Sequence, residues 1–400
     1  MTDFNNNICR VLKFVWSLIF MRIHPLFLFV TVVCFTTLQR GEAALASTSG
    51  SSPHPNSLET KEGINHVILD RVVSEHKEEI NFGYKTYGSH PSQFYSDRVR
   101  KWEDDDLFHQ FEITRGNAGP DEDKLGGNGH VIFQSKTAVF SSMECDRLVS
   151  EAKHIIENRN LIRDQDGYLS NEAIGEVRVS NMPQGKPFLQ SMMHEMLFPL
   201  LESRFNTPSH EMTLHDALII GYGHLNNGEG PSKAQPIHRD SSLISLNIAL
   251  SENDSYEGGG TYFEGLDGIG GGTIHNSQGH VLCHSGGIMH AGQSLKSGVR
   301  FVLVLFILAE NIPQIARRCH AMGTRAEEKE QYPTASAAYS TGLNIAQRDH
   351  CLLRDFGRMN IALGRRNKGI KFLRQSDRSY AYCASCLITI GRIFLDTKRP

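Results

Sequence analysis

Between Ala217 and Leu308 the chain is written in short alternating runs broken by glycine. "LISLNIALS" alternates after Ser242, "EGGGTYFEG" is a turn into a strand, "GHVLCHSG" is another, and "GVRFVLVLFILAE" is a long final one. Many of the 36 glycines fall between Gly258 and Gly298, where tight turns need positive φ. Apolar residues at period two, punctuated this way, exclude long helices and predict a sandwich or barrel of antiparallel sheets. Gly258 to Gly260 precede a strand and not a helix, so they form a hairpin turn or bulge and not a phosphate loop.

Order begins near Gly129 with alternating residues. "SSMECDRLVSEAKHII" then reads as a helix capped by Ser141 or Ser142, with Leu148, Ala152, Ile155 and Ile156 at helical spacing. A second helix covers "FLQSMMHEMLFPLLESRF" and ends before Asn206, and "LHDALIIGYG" returns to strand. The two helices are expected to cover one sheet. After Pro313 the residues become helical in character. Ala335, Tyr339, Leu343 and Leu363-Gly364 fit loosely a helical repeat of about 34 residues, without its full signature.

The N-terminus reads as a targeting segment. An apolar run from Leu26 to Leu38 follows Arg10, Lys13 and Arg22, and Ala44 to Ala46 fit a cleavage site before Ser47. The alternative is an uncleaved anchor through residues 11–38, interrupted by Lys13, Arg22 and His24. Either reading places the body of the protein in the endoplasmic reticulum, lumen or membrane, or beyond. Ser47 to about Lys61 is a Ser/Thr/Pro-rich linker, and residues 62 to 127 mix charge with scattered aromatics. A formal charge of −3 gives no argument for a nucleic-acid-binding surface or a strongly acidic tail, and no nucleic-acid partner is expected. Six of the eight cysteines lie beyond the targeting segment. Cys383-x-x-Cys386 has neither a βαβ unit before it nor a second pair for zinc, which leaves structural cysteines or free thiols. Asn253-Asp254-Ser255 is a glycosylation sequon in a loop.

His238-Arg239-Asp240 could belong to two chemistries. A kinase catalytic loop requires Asn five residues after the Asp, where Ser245 stands, and Asn247 comes two residues too late. Asp355-Phe356-Gly357 lies over a hundred residues on, inside a helical stretch. The kinase reading fails. Iron(II) chemistry needs two imidazoles and one carboxylate on one face of the metal. On extended backbone, residues i and i+2 point the same way, so His238 and Asp240 converge and Arg239 points elsewhere. The third ligand comes from a distant strand, with His275, His280, His284 and His290 as candidates. A 2-oxoglutarate co-substrate would need a fixed cation for its far carboxylate. Arg300 opens an apolar strand ten residues after His290, and this offset favours His290. His284 is then pocket lining or a packed histidine. Asn247 either reaches the pocket or packs. Of Tyr262 and Phe263, one lines the site and the other covers the sheet.

From about Gly129 to Asn311 the chain resembles the 2-oxoglutarate and iron(II)-dependent dioxygenases of the prolyl 4-hydroxylase and procollagen lysyl hydroxylase type. "IIGY", "HRDSSLISLNIALS", "YEGGGTYFE", "LCHSGGIMHAG" and "SGVRFVLVLF" carry the likeness by their order and spacing. The resemblance implies a mainly β fold with flanking helices (α+β), built on a double-stranded β-helix, or jelly roll, with a C-terminal helical segment. It implies His238, Asp240 and His290 as iron ligands, Arg300 as the anchor of the 2-oxoglutarate carboxylate, and Tyr222 as its helper. It also implies molecular oxygen as co-substrate, L-ascorbate as a supporting reductant and a prolyl or lysyl residue of a peptide or protein as substrate. The alternatives are the same chemistry on a non-peptide substrate and a silent binding protein on this scaffold. The organisation expected is a signal peptide or anchor at 1–46, a linker and extension at 47–127, the dioxygenase domain at 128–312 and a helical segment at 313–400. That last segment, which lies beyond the resemblance, could dock peptides, and its loss would then spare iron binding.

Overall fold

A computed structural model of the chain describes residues 65–88, 105–112, 131–158, 175–223, 235–266, 271–379 and 384–396. The targeting segment, the Ser/Thr/Pro-rich linker and Cys383 lie outside them. Among the described residues, no helix is long and apolar enough to cross a membrane.

The alternating runs form two antiparallel sheets. The larger follows the order β1 (Phe108–Glu112), β2 (Val131–Ser135), β9 (Val281–Ser285), β5 (Ile244–Ala249), β11 (Leu295–Ala309), β4 (Met212–Gly223) and β3 (Gly175–Arg178), and β6 (Tyr256–Gly258) pairs with the start of β11. The smaller runs β10 (His290–Gly292), β7 (Thr261–Phe263), β8 (Gly272–Ile274). Gly258, Gly259 and Gly260 all have positive φ at the turn between β6 and β7, as their clustering predicts.

Register decides which side chains meet. Directly opposed residues share a face of a sheet. Phe301, Leu303 and Leu305 of β11 oppose Gly221, Ile219 and Ala217 of β4, and Leu303 and Leu305 also oppose Ile248 and Leu246 of β5. This face packs under helix α2 (Ser142–Asn158) and the pair α3 (Gly185–Met192) and α4 (Phe198–Phe205) through Leu148, Ala152, Leu189 and Leu200. Truncating a side chain such as Leu303, which has no exposed surface, would cost about 2–5 kcal/mol. Ser141 caps α2 reciprocally: its hydroxyl accepts from the Glu144 N–H at 3.3 Å, and its own N–H donates to Glu144 Oε2 at 2.8 Å. Between α3 and α4 the chain makes one π turn, Met193–Leu197, directly before Pro199, which has no N–H to give the helix.

The opposite face carries Tyr222, Arg300, Asn247 and His284. Arg300 opposes Tyr222, Val304 opposes Asn247, Asn247 opposes Leu282, and Ser245 opposes His284. There Ile132 and Leu282 pack against Phe263 and Ile274 of the smaller sheet.

Two features depart from the sequence expectation. The charged stretch after residue 62 contains a helix, α1 (His66–Tyr87), with Ile68, Val72, His76, Ile80, Gly83 and Tyr87 along its buried face. The four-residue recurrence is present in the sequence, but the lysines and glutamates between these positions obscure it. Asn65 caps the helix, its side chain accepting from the Ile68 N–H at 3.2 Å. Second, the residues after Pro313 fold into helices that pack into the same compact unit as the sheets, which spans residues 58–400. Ile68 and Val72 of α1 share a buried cluster with Cys319, Met322 and Ala338 of that tail.

Candidate metal centre

His238 and His290 lie on facing extended segments. Each donates its backbone N–H to the other's carbonyl at 2.9 Å. The Asp240 N–H donates to the Gly286 carbonyl at 2.9 Å, which ties the 238–240 segment to the turn after β9. This lacing brings two distant parts of the chain into one site. His238 Nε2 lies 3.4 Å from Asp240 Oδ1, and His290 Nε2 lies 3.4 Å from Asp240 Oδ2. The three ligand atoms all fall within 4.8 Å of one another. A first-row divalent ion held at about 2.1 Å by three ligands on one octahedral face separates them by roughly 3 Å.

The imidazoles are oriented from behind. His238 Nδ1 lies 2.8 Å from the Pro236 carbonyl, and His290 Nδ1 lies 2.9 Å from the Ile288 carbonyl. A carbonyl can only accept, so Nδ1 of each ring carries a proton and donates it there, and Nε2 of each ring is turned toward Asp240. Burial opposes ionisation of Asp240, but His290 and His238 outweigh it and hold the carboxyl well below its ordinary range. The Ser245 hydroxyl donates to Asp240 Oδ2 and is itself 2.7 Å from Ser242 Oγ. Ser245, whose identity counted against the kinase loop, thus orients the carboxylate.

The other candidates separate clearly. His280 Nδ1 bonds the Ser135 carbonyl at 2.8 Å, a structural contact between strands. His275 is not among the residues whose donors converge. His284 is fully buried, with its ring centroid 4.5 Å from that of His290 and 5.0 Å from that of Phe263. Its Nδ1 meets the Ser285 carbonyl at 2.9 Å, and its Nε2 has no hydrogen-bond partner. Burial, then His290, pushes its pKa down to about 3, so the ring is neutral. Phe263 is fully buried beside these histidines and Tyr262 is half-buried, which resolves the alternation at that turn. Asn247 lies on the inner face, and its carbonyl accepts from Asn276 Nδ2 at 3.2 Å.

Arg300 is 4% exposed, and its Nε has no hydrogen-bond partner. No acidic side chain among the described residues pairs with it. Its guanidinium carbon lies 5.7 Å from the centre of the Tyr222 ring. Burial raises the Tyr222 pKa, and the Arg300 charge works against that rise. A Cβ added to Gly292 would lie 2.8 Å from the Tyr222 hydroxyl oxygen, so this glycine, two residues past His290, lets the phenol reach the strand that carries His290. A buried guanidinium without an anion is costly, and among the described residues none supplies one.

Sequence reasoning missed the residues that brace the 238–242 segment from the helical tail. Arg239, pointing away from its two neighbours, donates from Nη1 to Asp349 Oδ2 at 2.7 Å, with both side chains buried. Burial opposes the charge on Asp349, but Arg239 and His350 outweigh it and hold the carboxyl well below its usual range. Arg317 Nη1 donates to the Ser242 carbonyl at 2.7 Å and to the Asp240 carbonyl at 3.3 Å. These partners lie 75 to 110 positions apart, so no local signal announces them. Asp355, in the Asp-Phe-Gly triplet, is a buried carboxylate bound by Arg354, Arg358 and His320.

No family model matches the sequence, and no curated protein matches it. Among solved structures, a 2OG-Fe(II) oxygenase family oxidoreductase from Burkholderia pseudomallei is similar at 14% identity and a TM-score of 0.35, over 50% of this chain and 94% of that one. EctD from S. alaskensis, solved with 2-oxoglutarate and 5-hydroxyectoine, is similar at 13% identity and a TM-score of 0.37, over 55% and 87%. The carbocyclase SnoK from nogalamycin biosynthesis is similar at 11% identity and a TM-score of 0.34, over 44% and 79%. Likenesses of this size establish neither family nor substrate for this chain.

Proposed function

We propose that the chain is an Fe(II)- and 2-oxoglutarate-dependent dioxygenase on a double-stranded β-helix domain, and that it hydroxylates a prolyl or lysyl residue of a peptide. One observation carries the reading. Two imidazole nitrogens and a carboxylate face one point, and a buried Arg300 without a counter-anion among the described residues lies on the same inner sheet surface as His284, whose ring meets that of His290 edge-on.

The donor set fits iron(II). Two neutral imidazoles and one carboxylate on one face leave the opposite positions open for a chelating co-substrate and oxygen. His238, Asp240 and His290 would hold the ion, with Ser245 and the carbonyls of Pro236 and Ile288 fixing their orientation. Arg300, with the Tyr222 hydroxyl, would take the far carboxylate of 2-oxoglutarate. Iron bound there supplies the activation of oxygen, coupled to conversion of 2-oxoglutarate to succinate and carbon dioxide. The protein contributes position, a fixed charge for the keto acid and the apolar wall of Phe263, Ile132 and Leu282. Support for a peptidyl substrate, for L-ascorbate dependence and for residence in the endoplasmic reticulum comes from the motif resemblance and the N-terminal targeting pattern.

The test is succinate release by purified protein with iron(II), 2-oxoglutarate and panels of prolyl and lysyl peptides, beside anaerobic titration with cobalt(II). His238→Ala should abolish both cobalt binding and turnover. Arg300→Ala should keep cobalt binding and weaken 2-oxoglutarate by about 2–5 kcal/mol. Absence of succinate under all conditions would overturn the enzymatic reading. Turnover only on non-peptide compounds would overturn the substrate class.

A further inference from the structure

The two imidazoles of the candidate centre come from different strands, and one helix start in the tail reaches the back of both. The tail helices are α5 (Ile315–Glu328), α6 (Tyr332–Ile345), α7 (His350–Ala362), α8 (Arg366–Ser379) and α9 (Ala384–Asp396). Helix α5 packs on α6, and α7 on α8.

His238 opposes His290 across one strand pair, and His290 opposes Phe263 across the next. Directly opposed residues share a face, so these three side chains form a row on the side where Phe263 packs with Ile132 and Leu282 of the larger sheet. Their chain neighbours Arg239 and Glu264 point to the other side by alternation. The Glu264 N–H donates to the Met289 carbonyl at 2.9 Å, which keeps Glu264 beside the strand that carries His290.

On that other side the two charged residues meet consecutive residues at the start of α7. Arg239 Nη1 lies 2.7 Å from Asp349 Oδ2, and Glu264 Oε2 lies 3.7 Å from His350 Nε2. Cys351 Sγ lies 3.4 Å from the same His350 nitrogen. Burial opposes a charge on His350, but Cys351 and Glu264 outweigh it and push the ring's pKa up to about 10, so it meets Glu264 as a cation. Each buried cation thus has its own carboxylate. The helix start is itself fixed. Asp349 caps it through the Leu352 N–H at 3.0 Å, and the Ser376 hydroxyl of α8 donates to the His350 carbonyl at 2.8 Å.

We propose that the first turn of α7 is a clamp that sets the separation of the two imidazoles. Asp349 holds the strand of His238 through Arg239, and His350 holds the strand beside His290 through Glu264. Glu264 and His350 are positioning residues that act through the strands carrying the ligands. The inference rests on the metal-centre reading of His238, Asp240 and His290. It adds to the Arg239 brace a second grip, on the half of the centre that Arg239 does not reach. The Glu264 side chain keeps 26% of its surface exposed, and ion pairs so placed contribute little to stability. An effect of Glu264 on metal affinity would therefore report position and not folding.

Anaerobic cobalt(II) titration of the full chain, followed by its visible d–d absorption, tests the clamp beside thermal melts of the metal-free protein. Glu264→Ala should weaken cobalt binding by about tenfold and shift the d–d bands, with little change in melting temperature. Glu264→Gln keeps an acceptor for His350 and should restore part of the affinity. His350→Ala should weaken binding to a similar degree, and the double variant should be no weaker than either single one. Wild-type affinity and bands in Glu264→Ala would overturn the clamp and leave the metal centre standing. So would losses that add in the double variant. A wild type that takes up no cobalt would overturn the centre and the clamp together.

Discussion

His284 shows how much of the centre rests on a neutral ring. It is wholly buried against His290 and Phe263, and burial with the His290 neighbour pushes its pKa down to about 3. In the unfolded chain a histidine titrates near about 6.5. Between these values the unfolded state binds the extra proton and the folded state does not, so stability rises with pH across the window and is lost as pH falls through it. The urea midpoint of metal-free protein should therefore fall from about pH 6.5 downward, and His284→Phe should shallow that decline. An identical acid limb in the variant would show that this ring is not a source of it. His238, Asp240 and His290 could be singled out in the sequence because metal chemistry restricts residue type, and extended backbone makes spacing of two meaningful. His284 looked ambiguous because its role depends on which rings pack edge-on against it, and spacing does not encode that.

At the scale of elements, the turn that carries the candidate ligands is held by helices as well as by its backbone pairing with the 286–290 segment. Arg239, between two candidate ligands, is fixed by Asp349, the N-cap of α7, whose other oxygen accepts from the Leu352 N–H at 3.0 Å. Asp349→Asn preserves a good cap but removes the charge opposite a buried guanidinium, so the ion pair is tested apart from the helix start. The variant should lose about 3–5 kcal/mol of stability and bind cobalt(II) more weakly, because the segment that positions His238 and Asp240 is released. Equal cobalt affinity at a reduced melting temperature would show that the pair supports only the fold. Arg317→Leu should also lower cobalt affinity, since it strips the donor from the Ser242 and Asp240 carbonyls. The strands between Ala217 and Leu308 were readable from period-two alternation, and α2 from its serine cap and apolar spacing. Helix α1 was not, because a helix buried on one narrow stripe among Lys and Glu looks in sequence like a solvated charge run.

For the whole molecule, the boundary that composition draws at Pro313 separates two textures and not two independent bodies. The sheets and the tail belong to one compact unit, and α1 fastens both. His76 Nε2 lies 3.1 Å from the Ala309 carbonyl at the end of β11, and Arg318 of α5 meets both His76 and Glu79. Composition shifts report solubility and helix propensity, and neither reveals which apolar faces are shared. Removal of residues 313–400 would strip Arg317 and Asp349 from the turn and expose Ile68 and Val72, which share a cluster with the tail. These contacts lead to a prediction opposite to the expectation that the tail could be lost with iron binding intact. The truncated protein should bind cobalt(II) at least about tenfold more weakly, with a shortened cooperative melt, and adding the separate tail in trans should not restore it. Cobalt affinity equal to the full chain, with a sharp melt, would mean that the sheets organise the turn unaided and that the contacts of Arg317 and Asp349 merely accompany it.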